Sequence, residues 1–430
     1  MVHECLHALI VSSSAYKRYV VALLLVIYTF NQTDRAIFGF LMEPIRRDLG
    51  LSDSQLGFLV GPALVLFYAT LGIPIARLAD RRARVTIIAI AVALWSGIVT
   101  CTAAAGSFFQ LTLCRVGVGV GEAGFSAVAQ SVIGDYHPSQ DRARALSIFM
   151  LGLPLGALLS NLLGGWANAH LGWRAAFILA GAPGLVLALL VKTTVREPPR
   201  GSSNDRGELP AIPTLRVVLK SLWMCRSLRH LSIAMVLMNA VGACFLTWMP
   251  TFFIRIHQIG TAELGVWLAI AMSAGGSVGT WLGGFLPNRM SPDDARAQVR
   301  VLAVSAFVCA PLLVTTLAVP DRLWALVLYI PVCALLFFYV GLSFSLLQAL
   351  SDASTRATVT AVVILGQTLF AGAGLQVVGM ASDGLAPRFG DGSLRWALIA
   401  MSLPAFWAAA HFWACGRTLR DDLRWVCSGA

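Results

Sequence analysis

The chain has 430 residues, of which 57% are hydrophobic and only 12% charged. Soluble domains carry about 25% charged residues, so the composition excludes a soluble protein and indicates an integral membrane one. A formal net charge of +11 would suggest nucleic acid in a soluble chain, but here the basic residues gather in the connections on one side of the predicted spans, so topology accounts for them and no nucleic-acid partner is expected.

In chain order, residues 1–15 lack a charged n-region and a cleavage site, so the first apolar stretch is expected to stay as an uncleaved anchor. A span needs ~20 apolar residues. Runs of that length predict spans at about 17–40, 54–76, 85–105 and 108–133, a fifth ending near 167 and a sixth opened by Gly172-Trp173-Arg174. Residues 43–50 read as an outer loop in which Pro44 is a loop residue, followed by Ser52 as the N-cap of span 2. Pro154, Pro183 and Pro250 are expected to kink their spans. Continuous apolar runs, with no alternating ten-residue segments, exclude an outer-membrane barrel.

Residues 195–229 begin as a Pro/Gly/Ser linker and end as a basic segment with Leu215, Val218, Leu219, Leu222 and Trp223 at helical spacing. Such a segment suits the inner leaflet surface. Six more spans are predicted at about 230–252, 263–286, 298–319, 322–347, 357–381 and 394–415. The halves resemble one another. Arg142 to Gly152 aligns with Arg356 to Gly366, Gly165 then meets Gly379, and Asp80-Arg81 is echoed by Asn288-Arg289. The expected fold is therefore all-α: twelve spans in two six-helix bundles, residues 1–192 and 230–430, joined by a linker at 193–229. The asymmetry of Lys and Arg places both termini in the cytoplasm.

The most informative stretch is Arg115-Val-Gly-Val-Gly-Val-Gly-Glu122. Each ionised side chain in hydrocarbon costs roughly 2.5–3.5 kcal/mol on insertion scales and persists where it faces a partner or a watery path. The two residues share one helix face, ~10 Å apart along the axis. Span 1 carries Asn31, Asp34 and Arg35. A carboxylate beside an arginine can exchange its pairing for a proton, so Asp34 is expected to be the main proton carrier and Glu122 a second carrier or gate. Arg35 and Arg115 would tune these acids or hold an anionic headgroup. The plainer alternative is a permanent structural ion-pair cluster.

In the second half, Asn239, Phe245, Trp248, Phe337, Tyr339, Gln367 and Phe370 are candidate cavity-lining residues, with ordinary packing as the competing explanation. No nucleotide-binding loop, Ser/His/Asp set or Cys/His cluster occurs, so no enzyme activity, cofactor or metal is expected.

The hairpin Asp80-Arg81-Arg82-Ala83-Arg84 resembles the signature between spans 2 and 3 of the major facilitator superfamily, with alanines at 76 and 83 where glycine is usual. By this resemblance Asp80, Arg81 and Arg84, with Arg289 in the second copy, act as a conformational latch. Asn31, Asp34 and Arg35 together with Arg115 and Glu122 resemble the Spinster family. That resemblance implies a transporter of lysophospholipids or sphingoid phosphates; with the buried acids and the two repeats, a monomeric, proton-coupled, alternating-access protein of a bacterial inner membrane is expected. Proton-linked efflux of hydrophobic compounds and small organic anion transport are the rival readings, and a non-transporting receptor is a more distant one.

Overall fold

The computed structural model describes residues 13–65, 83–199, 215–290, 294–352 and 355–427, and among these residues there is no strand. The first helix, α1 (Ser14–Leu49), begins where the Ser13 side chain accepts from the Tyr16 amide, and it stops at Gly50, whose φ of 64° is left-handed. It runs past residue 40 to Leu49, so residues 43–49 form its last turns and Pro44 lies inside the helix. The outer-loop reading is corrected here for a local reason. Fully buried Glu43 takes Arg46 at 3.0 Å and Arg47 at 2.9 Å, and these pairs hold the turn that follows the proline.

Ser52 caps α2 (Asp53–Val60) as expected, with Gln55 completing a capping box. Residues 66–82, with the later part of span 2 and the hairpin residues Asp80 and Arg81, lie outside the described residues. Next come α3 (Arg84–Thr102), α4 (Phe108–Ala123) and α5 (Ser126–Tyr136). The span formed by α4 and α5 is interrupted at Gly124 and Phe125, directly after Glu122. The first half ends with α6 (Ser139–Met150), α7 (Gly152–Leu171) and α8 (Trp173–Thr194).

The linker segment carries α9 (Leu215–Met224), with Leu219 and Trp223 exposed and the Arg229 guanidinium 5.1 Å from the Trp223 ring. Then follow α10 (Arg226–Ile256), α11 (Thr261–Ile270), a π turn at Ala271–Gly275 and α12 (Gly276–Met290). The last group is α13 (Ala295–Ala318), α14 (Arg322–Phe338), α15 (Val340–Ala349), α16 (Arg356–Phe389), α17 (Ser393–Ser402) and α18 (Pro404–Cys427). Ten helical stretches among the described residues are long and apolar enough to cross a membrane, one of them the whole of Thr358–Leu423. Large apolar side chains such as Ile90, Val186, Leu189 and Trp407 stand exposed on these helices, as lipid contact requires and a soluble surface would not tolerate in such number.

The chain divides into two compact units. The first comprises residues 1–51, 63–207 and 260–269, and the second residues 52–62, 208–259 and 270–430. Within the first, α1 lies along α7, where the Thr33 hydroxyl donates to the Gly156 carbonyl at 3.2 Å, and α3 packs on α8 and α4. Within the second, α18 packs on α10 and α13, while α16 lies along α10 and α2.

Candidate functional site

The charged residues singled out from spans 1 and 4 meet inside the first unit. Asp34, Glu122 and Arg115 are 1%, 2% and 4% exposed. Arg35 reaches across from α1, and its Nε donates to Glu122 Oε2 at 2.5 Å. The Arg35–Glu122 pairing is thus formed. Asp34 is not paired in this way. Neither carboxylate oxygen of Asp34 makes a hydrogen bond, although Glu122 and Arg115 are the charges that act on it. Arg115 instead lays its guanidinium 3.7 Å from the centre of the Phe38 ring, and its Nε is unbonded. A desolvated cation over an aromatic face is worth about 2 kcal/mol, which helps to hold the arginine in the interior, where its charge acts on both acids.

Sequence reasoning missed Trp95. This residue of α3 is fully buried, meets Phe125 edge-on at 5.2 Å, and turns its indole toward Asp34 without closing a hydrogen bond. The signal was present but indirect. A Cβ added at Gly121, the last glycine of the stretch before Glu122, would lie 2.8 Å from Trp95 Cβ and 2.9 Å from its backbone nitrogen. The glycine is what lets α3 approach α4 at the depth of the acids. Gly121→Leu should therefore push these helices apart, lowering stability by about 1–3 kcal/mol through overpacking and abolishing transport. A thermal unfolding midpoint and a flux measurement would check this, and a variant with parent stability and flux would contradict it.

Asn31 is buried with its side-chain nitrogen unbonded. In the second unit, two candidate polar residues are engaged by neighbours: Gln367 donates to the Met235 carbonyl at 3.2 Å and Trp248 to the Leu375 carbonyl at 3.3 Å, while Asn239 lies beside Tyr339. Phe245 is fully buried, Phe337 packs beside Gly276, and Phe370 is 59% exposed. Of the expected latch, Arg84 is deeply engaged. It binds Asp135 at 2.5 Å, Glu197 at 2.9 Å, Ser131 at 3.0 Å and the Pro198 carbonyl at 3.1 Å. Arg289 is exposed and stands 5.6 Å from the Phe285 ring.

A single arrangement emerges: two acids and two arginines inside a bundle of spans, one acid paired and the other with no bond of its own. The chain matches the family model described as Major Facilitator Superfamily over residues 24–375. It is 32% identical over 409 residues to an MFS-type efflux pump of Mycolicibacterium smegmatis, covering 94% of this chain and 93% of that one. It is 27% identical over 240 residues to a sphingosine-1-phosphate transporter of Danio rerio, covering 53% of this chain and 46% of that protein. A solved structure of a bacterial homologue of the human lysosomal transporter Spinster, inward-facing and unoccupied, superposes with a TM-score of 0.86 at 28% identity, covering 95% of this chain and 99% of that one. The chain belongs to the major facilitator superfamily and is a Spinster-like, multi-pass membrane transporter, not an enzyme.

Proposed function

We propose that this transporter moves amphiphilic, lipid-like solutes of the lysophospholipid or sphingoid-phosphate class, coupled to protons, by alternating access. It would do so as a monomer of twelve spans in a bacterial inner membrane, with both termini cytoplasmic. The observation that carries the coupling is Asp34, a buried carboxyl with no hydrogen bond, set beside the charges of Glu122 and Arg115. Burying a carboxylate without a partner costs several kcal/mol, so Asp34 must take up either a proton or a new partner as its surroundings change. Glu122, held by Arg35, is a second carrier or gate. Arg115 offers an unbonded Nε to an anionic headgroup.

The similarity to a sphingosine-1-phosphate transporter and to a Spinster homologue favours a lipid-like substrate. A second reading, proton-linked efflux of hydrophobic compounds, is favoured by the similarity to an efflux pump. Lysophospholipid and dye fluxes in proteoliposomes, each with and without a pH gradient, separate the two. The lipid reading expects lysophospholipid movement driven by the gradient, with dye flux weak or competed away by lysophospholipid. Gradient-driven dye flux with no lysophospholipid movement would replace it by the efflux reading. Flux of either solute that ignores the gradient would remove the proton coupling.

A further inference from the structure

Outside the acid cluster, the second unit carries a basic surface at the start of α10. Residues 215–231 contain Arg216, Lys220, Arg226 and Arg229 and no acid. A span needs ~20 residues, and α9 has ten, so it packs on α10 and α16 instead of crossing. Extended backbone at Cys225 (φ −75°, ψ 108°) separates it from α10, and the chain turns there at the end of the span. Leu219, Trp223 and Met224 are 50%, 71% and 67% exposed, and Lys220 is exposed among them. Apolar side chains as open as these are at home beside lipid, and cations among them suit the headgroup layer.

The surface continues onto α10 and α18. Arg229 donates to the Trp223 carbonyl at 3.0 Å and lies 5.1 Å from the indole ring. This holds the guanidinium against the last turn of α9 with donors to spare. Next to it, His230 Nδ1 meets His411 Nδ1 of α18 at 2.8 Å, and the His411 ring stands 5.9 Å from Trp407, which is 61% exposed. In the neutral pair one ring donates its Nδ1–H, so the accepting ring carries its own proton on Nε2 and has a donor left. Asp422 of α18 is already spent here, because it accepts from the Ser227 amide at 2.8 Å in the first turn of α10. Among the described residues no carboxylate pairs with Lys220, Arg226 or Arg229.

Exposed tryptophans joined to unpaired cations are complementary to a phospholipid of net negative charge, and each Lys or Arg near such a headgroup strengthens binding about fivefold. We propose that α9, the first turns of α10 and His411 form a binding site for an anionic diacyl phospholipid of the surrounding bilayer. Lys220, Arg226 and Arg229 hold its phosphate region, and Trp223 and Trp407 lie against its apolar part. This lipid is a resident of the membrane and not the transported solute, so the inference stands whichever solute the chain moves.

The test titrates phosphatidylglycerol against the full-length protein in detergent and measures bound lipid by native mass spectrometry, with phosphatidylcholine as the neutral comparison. The parent should bind phosphatidylglycerol at least about tenfold more tightly than phosphatidylcholine. The double variant Lys220→Gln/Arg226→Gln leaves Arg229 on Trp223, so the local fold is kept. It should lose most of that preference, and adding Arg229→Gln should remove the rest, with phosphatidylcholine binding unchanged throughout. Hydrogen exchange in nanodiscs gives an independent readout. Amides 215–224 of the parent should exchange about tenfold more slowly with phosphatidylglycerol present than in phosphatidylcholine alone, and those of the triple variant should not respond. Equal affinity of the parent for the two lipids, or equal protection of 215–224 in both, would overturn the proposal. So would a preference that survives in the triple variant and is lost in Arg115→Gln, which would place the lipid among the buried charges of the first unit.

Discussion

Asp34→Asn is expected to abolish gradient-driven accumulation of solute while leaving downhill exchange in place. Asparagine has the shape of the protonated acid but can neither release nor take up a proton. In the proposed cycle it holds Asp34's position permanently in the loaded form. The magnitude follows from the coupling: one proton per cycle across a one-unit pH gradient carries about 1.4 kcal/mol, enough to concentrate a solute about tenfold. The variant should equilibrate the solute to equal concentrations on both sides and no further. Glu122→Gln is expected to do less, because Arg35 already occupies that carboxylate. Proteoliposome accumulation at fixed gradient, alongside counterflow without a gradient, measures both quantities. Parent-like accumulation in Asp34→Asn would transfer the carrier role away from this residue.

The second large effect is on stability. Arg255→Ala should destabilise the folded protein by about 3–5 kcal/mol, because it leaves the Asp53 carboxylate buried without its cation. Replacing both residues, as Asp53→Leu/Arg255→Leu, should recover most of that loss, since the desolvation penalty leaves with the charges. Unfolding midpoints of the detergent-solubilised variants would show the difference. A single variant no less stable than the double would mean that the pair is solvated rather than buried, contrary to its geometry.

Much of this molecule was legible in its residues. Apolar runs of membrane-crossing length reveal spans because transfer energy is a sum over local composition. Asp34, Glu122 and Arg115 stood out for the converse reason, being costly where they lie. Ser52 was readable as a cap because capping is settled within four residues. Pro44 misled: proline and a cluster of charges look like a loop, and the salt bridges from Glu43 that keep the helix intact become evident only once that carboxylate is seen to be buried.

What stayed hidden is pairing over distance. Arg255 and Asp53 are 202 positions apart, and Arg84 finds Asp135 and Glu197 at separations of 51 and 113. Arg115 was expected to tune the acids, and that its guanidinium also lies over the Phe38 ring was not readable from the sequence. Trp95 resembled any buried aromatic until Gly121 placed it beside Asp34. The sequence by itself determined a helical membrane transporter, the stretches that span, and which charged residues hydrocarbon would not tolerate idle. Only the tertiary structure decided which of those charges are paired, which acid is left unbonded, and where the chain passes between its two units. Transfer costs and helix caps are local properties of the chain, whereas partnership depends on the depth and rotation at which helices remote in sequence come to pack.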